Sequence, residues 1–285
     1  MTSAAPSWFE WALQQPRRSH FTDASGTRVH YVSWNTDDTH KPGLLFAHGF
    51  LGHSHWWDFI APFFTERFRV FAFDFSGMGE SGHRAEYQSD SFVRDFAAVL
   101  KAAGIAPGVV VAHSFGGSRL LQACATFPEL IRHAIVLDSY YMLPGDAPPA
   151  IDRRPAPRPY PDAHTGIAHF RLIPGQDCEP WLIDHLARTS LRQTELGWTW
   201  RFDPALRHIQ PVQGDESVLG RITVPVTYIH AEMSVVVSAD RANRIVAAIP
   251  HARGPVTMPR AHHHLMLDQP LGLVDLLRNL LEQSS

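Results

Sequence analysis

The stretch Val109-Val110-Val111-Ala112-His113-Ser114-Phe115-Gly116-Gly117 decides how the rest of the chain is read. Four apolar residues bounded by turn-forming ones make a buried strand. Residues 115–127 then carry helical spacing and stop before Pro128, whose ring excludes a preceding helical residue. A serine between strand and helix sits on a sharp corner that can present its hydroxyl, provided the residues two before and two after are small. Ala112 and Gly116 meet that need, although the first is more usually glycine. The alternative, Ser114 as a plain helix cap, leaves the strand before it unexplained.

The same rhythm extends outward. Upstream, residues 28–34 alternate, Asn35, Asp37 and Asp38 form a polar turn, 43–47 and 69–73 read as short strands, 56–67 as a helix, and 91–103 as an amphipathic helix stopped by Gly104. Downstream come a strand at 134–137, a strand at 224–230, a helix at 238–249, a strand at 255–258 and a helix at 271–281. Strands alternating with helices imply a parallel sheet with right-handed crossovers. At residues 139–220 the rhythm breaks, because Pro144, Pro148, Pro149, Pro155, Pro157, Pro159 and Pro161 exclude regular helix and central strand. Its later part, 181–191, is helical, and Trp181, Trp198 and Trp200 add apolar surface, so the segment reads as a cap over a pocket. The expected division is a core of 1–138 and 221–285 with a cap of 139–220. Near the start, Ser7 and Glu10 have capping-box spacing, and Trp8, Trp11 and Ala12 mark the face of a short packing helix.

Composition narrows the function classes. The 285 residues carry a net charge of -3, which supplies no positive field for a polyanion, so nucleic acid is not an expected partner and a small molecule is. No window reaches the roughly 18 apolar residues that a membrane span needs, so no membrane is expected either. Cys124 and Cys178 lack any CxxC spacing, which excludes thiolate metal sites and points to a reducing cytoplasm. Residues 1–16 lack the features of an export signal, in keeping with that location. The oligomeric state is left open.

With these segments in place, the chain resembles the α/β-hydrolase superfamily, and within it the serine esterases, over nearly its whole length. The resemblance rests on the Ser114 corner and on three further segments. His48-Gly49-Phe50 follows a strand as does the family's oxyanion loop, implying that the N–H groups of Phe50 and Phe115 hold a developing oxyanion. Asp74-Phe75-Ser76-Gly77-Met78-Gly79-Glu80-Ser81 is similar to the family's Asp-x-Arg-Gly-x-Gly-x-Ser turn, with Ser76 in place of arginine. The third segment is the triple histidine His262, His263 and His264 before Pro270; counting back seven residues, as in the family, makes His263 the base. A metal site is the rival reading of these histidines, but sequence neighbours diverge in direction and no second ligand cluster is evident, so no metal is expected.

The resemblance implies a mostly parallel eight-stranded sheet flanked by helices, with the cap inserted after the sixth strand. Its usual triad acid follows the next sheet strand, where Ala231-Glu232-Met233-Ser234 offers serine at the expected aspartate. Serine carries no charge to set beside an imidazolium. Some relatives take the acid from the end of the sixth strand, where Asp138 stands, with Glu232 as the alternative. The implied activity is hydrolysis of a carboxylic ester or thioester through an acyl-enzyme, with no cofactor. Haloalkane dehalogenases and epoxide hydrolases of this fold attack with aspartate, unlike Ser114. Alternatives with the same serine and histidine are cofactor-free oxygenation, C–C cleavage or lysis, and a third is a non-catalytic small-ligand receptor. His113, Trp56, Tyr140 and Tyr141 are candidate substrate-binding residues, together with neighbouring His53, His55, Trp57 and Met142. Arg153, Arg154, Arg158 and Arg171 are candidate anion contacts in the cap.

Overall fold

The computed structural model describes residues 4–146, 158–209 and 216–282. It opens with helix α1 (Ser7–Gln14) and the strands β1 (Arg18–Ala24), β2 (Thr27–Trp34), β3 (Gly43–Ala47) and β4 (Arg69–Phe73). Helix α2 (Ser89–Ala102), β5 (Gly108–His113), α3 (Phe115–Thr126) and β6 (Ile131–Leu137) follow. An excursion then carries α4 (Ala163–Ala168), α5 (Pro180–Thr189), the hairpin β7 (Leu191–Thr194) and β8 (Gly197–Trp200), and α6 (Glu216–Gly220). The chain returns through β9 (Val226–Ala231), α7 (Ala239–Ala247), β10 (Ala252–Met258), α8 (Leu265–Asp268) and α9 (Pro270–Glu282).

Eight strands form one sheet in the order β1-β2-β4-β3-β5-β6-β9-β10. Only β1 with β2 and β2 with β4 pair antiparallel; the other pairs are parallel, as short apolar strands joined by helices require. Alternation sorts each strand's side chains between two buried layers. Leu45 and Ala47 of β3 pack with Phe92 and Phe96 of α2 and Leu120 of α3 on one face. Leu44 and Phe46 pack with Phe9 of α1 and Leu273 and Leu277 of α9 on the other. Each of these leucines and phenylalanines, when fully buried, contributes about 1.5–3 kcal/mol. Two covered faces leave the carboxyl edge of the parallel strands as the place where functional groups collect.

Two sequence expectations need correction, and one strand lies outside them. Strand β1 carries little sequence signal, because its residues alternate only weakly and it lies half-exposed on the sheet edge. The helix expected at 56–67 is instead two 3-10 turns, Ser54–Trp57 and Ala61–Phe64, since Pro62 interrupts regular helical bonding. Helix α1 is capped by Pro6 with no side-chain capping bond, and it buries Phe9 and Ala12 while Trp11 stays 43% exposed. Pro148, Pro149, Pro155, Pro157, Arg153 and Arg154 lie outside the described residues. Among the described residues, no helix is long and apolar enough to cross a membrane.

Candidate active site

Ser114 joins β5 to α3 with φ 52° and ψ -119°, a left-handed backbone that a non-glycine residue adopts only under constraint. The constraint is visible. Its N–H donates to Leu137 O at 3.0 Å, and its carbonyl accepts from the Gly117 N–H and the Ser139 hydroxyl. Ser139 is itself held by the Tyr228 hydroxyl, which donates to its carbonyl. A Cβ on Gly116 would stand 2.5 Å from His48 O, so glycine is needed for α3 to pass that loop.

His263 precedes α8 and is buried. Its Nε2 lies 2.9 Å from Ser114 Oγ and its Nδ1 lies 2.8 Å from Asp138 Oδ2. Because a carboxylate only accepts, Nδ1 carries the proton and Nε2 presents a lone pair to the serine. Asp138 follows β6 with φ 42° and is fully buried. Its Oδ1 accepts from Ala231 N–H, and its Oδ2 accepts from the Ser234 hydroxyl at 2.6 Å as well as from His263. Ser234 Oγ in turn accepts from the N–H groups of Val236 and Val237. Glu232, the other candidate acid, is exposed and accepts from Arg260 N–H instead. No sequence signal marks the bond that Ser234 makes to Asp138.

The 48–50 loop passes directly over this corner. A Cβ on Gly49 would meet His113 Nδ1 at 3.1 Å and Ser114 Cβ at 3.4 Å. His48 fixes the loop: its Nδ1 donates to Gly49 O, and its Nε2 accepts from Phe75 N–H. Burial lowers the His48 pKa against the pull of Asp74, which keeps this neutral, two-sided bonding intact. Phe115 is the first residue of α3, where N–H groups lack helical partners, and among the described residues neither its N–H nor that of Phe50 meets a protein acceptor. The two rings stand 5.4 Å apart.

The 74–81 turn supports the loop from behind. Asp74 accepts from His30 Nδ1 at 2.7 Å and from the N–H groups of Ser54 and Glu80. Burial alone would raise its pKa, yet the His30 bond and charge hold it well below the usual carboxylate range. Ser76, where the family has arginine, hydrogen-bonds Asp95 at 2.8 Å, and Arg84 brings in the guanidinium from eight residues on, bonding both Ser76 and Asp95.

Around His263, three imidazoles gather, its own included. The rings of His113, His263 and His264 lie 4.8–5.6 Å apart, and Trp56 stands 5.3 Å from His264. The expectation that neighbouring histidines diverge holds for His262, which turns to Asp268, and fails for His264. Burial, reinforced by His263, pushes the His264 pKa down to about 3 against a weaker upward pull from the Pro174 and Ile173 carbonyls. His113 is lowered well below its ordinary value, chiefly by burial. Gln176 of the excursion clamps the histidine loop, accepting from His264 N–H and donating to Asp268. No sequence signal marks that residue.

Other candidates fall elsewhere. Tyr141 is buried in the core layer, and Tyr140 lies under Arg241, which pairs with Asp146. Neither tyrosine bonds Ser114 or His263, because Arg241 holds that segment against α7. His53 bonds Ser190 and His55 bonds Asp58, so both join core to excursion or brace the core rather than meet the triple cluster. Arg158 and Arg171 are exposed.

The sheet order and its helices are those of the α/β-hydrolase fold. Residues 42–167 match the family model described as the alpha/beta hydrolase fold. Epoxide hydrolase 4 of Homo sapiens is 31% identical over 117 residues, 40% of this chain and 32% of that protein. The alignments with the first such relatives therefore span about a third of their length. Esterase Rv0045c of Mycobacterium tuberculosis is 23% identical over 253 residues, covering 85% of this chain and 83% of that one. The solved thioesterase domain from the curacin biosynthetic pathway superposes with a TM-score of 0.78 at 21% identity, covering 93% of this chain and all of that one. The chain has the fold of the α/β hydrolases, and esterases and epoxide hydrolases are among the proteins it is similar to.

Proposed function

We propose that this protein is a serine hydrolase that cleaves a small to medium carboxylic ester or thioester through an acyl-enzyme. One observation carries the reading: the line of hydrogen bonds from Asp138 through His263 to Ser114, ending at a strained corner. The Nε2 lone pair of His263 takes the Ser114 proton as Oγ attacks the acyl carbon, and the N–H groups of Phe50 and Phe115 receive the oxyanion. Each such donor contributes about 2.7–4 kcal/mol to lowering the barrier. His263 then gives its proton to the leaving alcohol or thiol, and water, activated by the same nitrogen, releases the acid. Asp138 keeps the imidazole in the productive tautomer and offsets its transient charge.

The surroundings favour an apolar acyl portion. Phe50 is 44% exposed, and Met233 and Val235 on either side of Ser234 are also exposed, as is Ile173 near His264. An exposed aromatic ring on the loop that passes over Ser114 fits ligand entry. The excursion within 139–220 serves as a cap, tied down where Gly79 N–H donates to Arg201 O and Tyr87 bonds Asp203. Similarity to epoxide hydrolases does not redirect the reading, since position 114 offers a hydroxyl where those enzymes attack with a carboxylate. The free thiols Cys124 and Cys178 suit a cytoplasmic setting.

The test is turnover of p-nitrophenyl esters of graded acyl length, with mass spectrometry after an active-site phosphonate. A covalent adduct on Ser114 and a fall in kcat of about 10⁴-fold or more in Ser114→Ala support the assignment. Oxygen uptake or C–C cleavage without ester turnover assigns the same pair to oxygenation or lysis. Ligand binding unchanged by Ser114→Ala, without turnover, identifies a receptor.

A further inference from the structure

We propose that His113, His263 and His264 form a binding site for a divalent transition metal such as Zn²⁺, and that metal and acyl substrate compete for one imidazole. Each histidine offers a ring nitrogen, and these nitrogens all lie within 4.8 Å of one another. A tetrahedral ion with bonds of about 2.0–2.1 Å needs its nitrogens roughly 3.4 Å apart, so the rings must close in by small rotations. Three neutral imidazoles with an open fourth position suit Zn²⁺, Cu²⁺ and Ni²⁺ and do not suit Mg²⁺ or Ca²⁺.

Counting lone pairs shows that the donors are available. His113 Nε2 lies 2.8 Å from His263 O; a carbonyl only accepts, so Nε2 carries the proton and Nδ1 is bare. That Nδ1 is buried without a protein partner and borders Gly49 on the Ser114 side. His263 carries its proton on Nδ1 toward Asp138 and turns its bare Nε2 to Ser114. Both nitrogens of His264 are buried, and in a neutral ring whose N–H faces the Pro174 and Ile173 carbonyls the other nitrogen is bare. Buried nitrogens left unbonded are costly to a fold and call for a ligand. The Asp138 carboxylate behind His263 is the outer partner that raises a ligating imidazole's basicity. A metal seated here occupies the lone pair that the proposed mechanism assigns to proton transfer. Binding itself stands apart from the hydrolytic reading; only the competition rests on it.

The experiment is calorimetric titration of the full-length, metal-free protein with Zn²⁺, repeated with Co²⁺ to read its visible absorption bands. The expected result is one ion per chain, tetrahedral Co²⁺ bands, and affinity about tenfold or more weaker in His264→Phe. His264→Gln, closer in polarity, is the second variant if phenylalanine disturbs packing, and His262→Ala is expected to bind as the parent does. Equal affinity in both His264 variants and the parent overturns the site, as does a parent that takes up no stoichiometric ion. Where esters are turned over, Zn²⁺ should inhibit and chelation should restore the rate. Unchanged Zn²⁺ affinity after phosphonate labelling of Ser114 overturns the competition.

Discussion

The carboxyl ends of β6 and β9 lie side by side in the sheet, and each carries a candidate acid. At the end of β6, Asp138 is fully buried and accepts three hydrogen bonds. At the end of β9, Glu232 points into solvent and the next inward-facing side chain, Ser234, spends its hydroxyl on Asp138. A buried carboxylate without partners would be strongly disfavoured, so the site needs the β9 end to supply donors once the β6 end supplies the charge. The two ends are complementary halves of one device rather than rival positions for the same residue.

The sharpest way to break this comparison is to remove charge from one end at a time. Asp138→Asn should lower kcat by about 10⁴-fold, because an amide no longer enforces the productive tautomer, while Glu232→Gln should leave steady-state ester kinetics within about twofold. The reverse ranking would move the acid to β9. A smaller effect sharpens the point. If the two ends are complementary, Ser234→Asp placed on Asp138→Asn returns a carboxylate to the same hydrogen-bonded nook and should recover about tenfold in kcat over Asp138→Asn alone. No recovery would mean that only β6 can present the charge to His263.

What the sequence discloses about this region depends on how far apart the interacting residues lie. The elbow is legible because strand, Ser114, Gly116 and helix are contiguous and their steric demands are local. His263 is legible from its spacing to the start of α9. Asp138 could be inferred only by noticing that Ser234 has no charge. The hydroxyl's bond across 96 residues, the Gln176 clamp and the approach of His264 to His113 come from tertiary packing, which no periodicity encodes. The same holds for Arg84, whose reach to Ser76 and Asp95 replaces the missing motif arginine. Edge strand β1 and the broken 54–64 segment escaped for local reasons, weak alternation and Pro62.

The amino end of the same strand pair gives the smallest and cleanest contrast. There His133 of β6 lies 2.9 Å from Thr227 Oγ1 of β9, buried, and burial followed by the Arg253 charge lowers its pKa to about 4 from an ordinary 6.5. Between those values the unfolded chain holds a proton on this residue that the native chain does not, so stability is present above pH 6.5 and is lost as pH falls toward 4. The slope is about 1.4 kcal/mol per pH unit, or roughly 2 kcal/mol between pH 7 and pH 5. Urea unfolding at the two pH values should show that much less acid loss in His133→Gln than in the parent, while ester kcat at pH 7 stays unchanged. Equal acid loss in both proteins would show that burial at this end does not keep the imidazole neutral. A drop in kcat would show instead that the two ends of the strand pair are mechanically coupled, and that the position of Asp138 depends on packing five residues back along the chain.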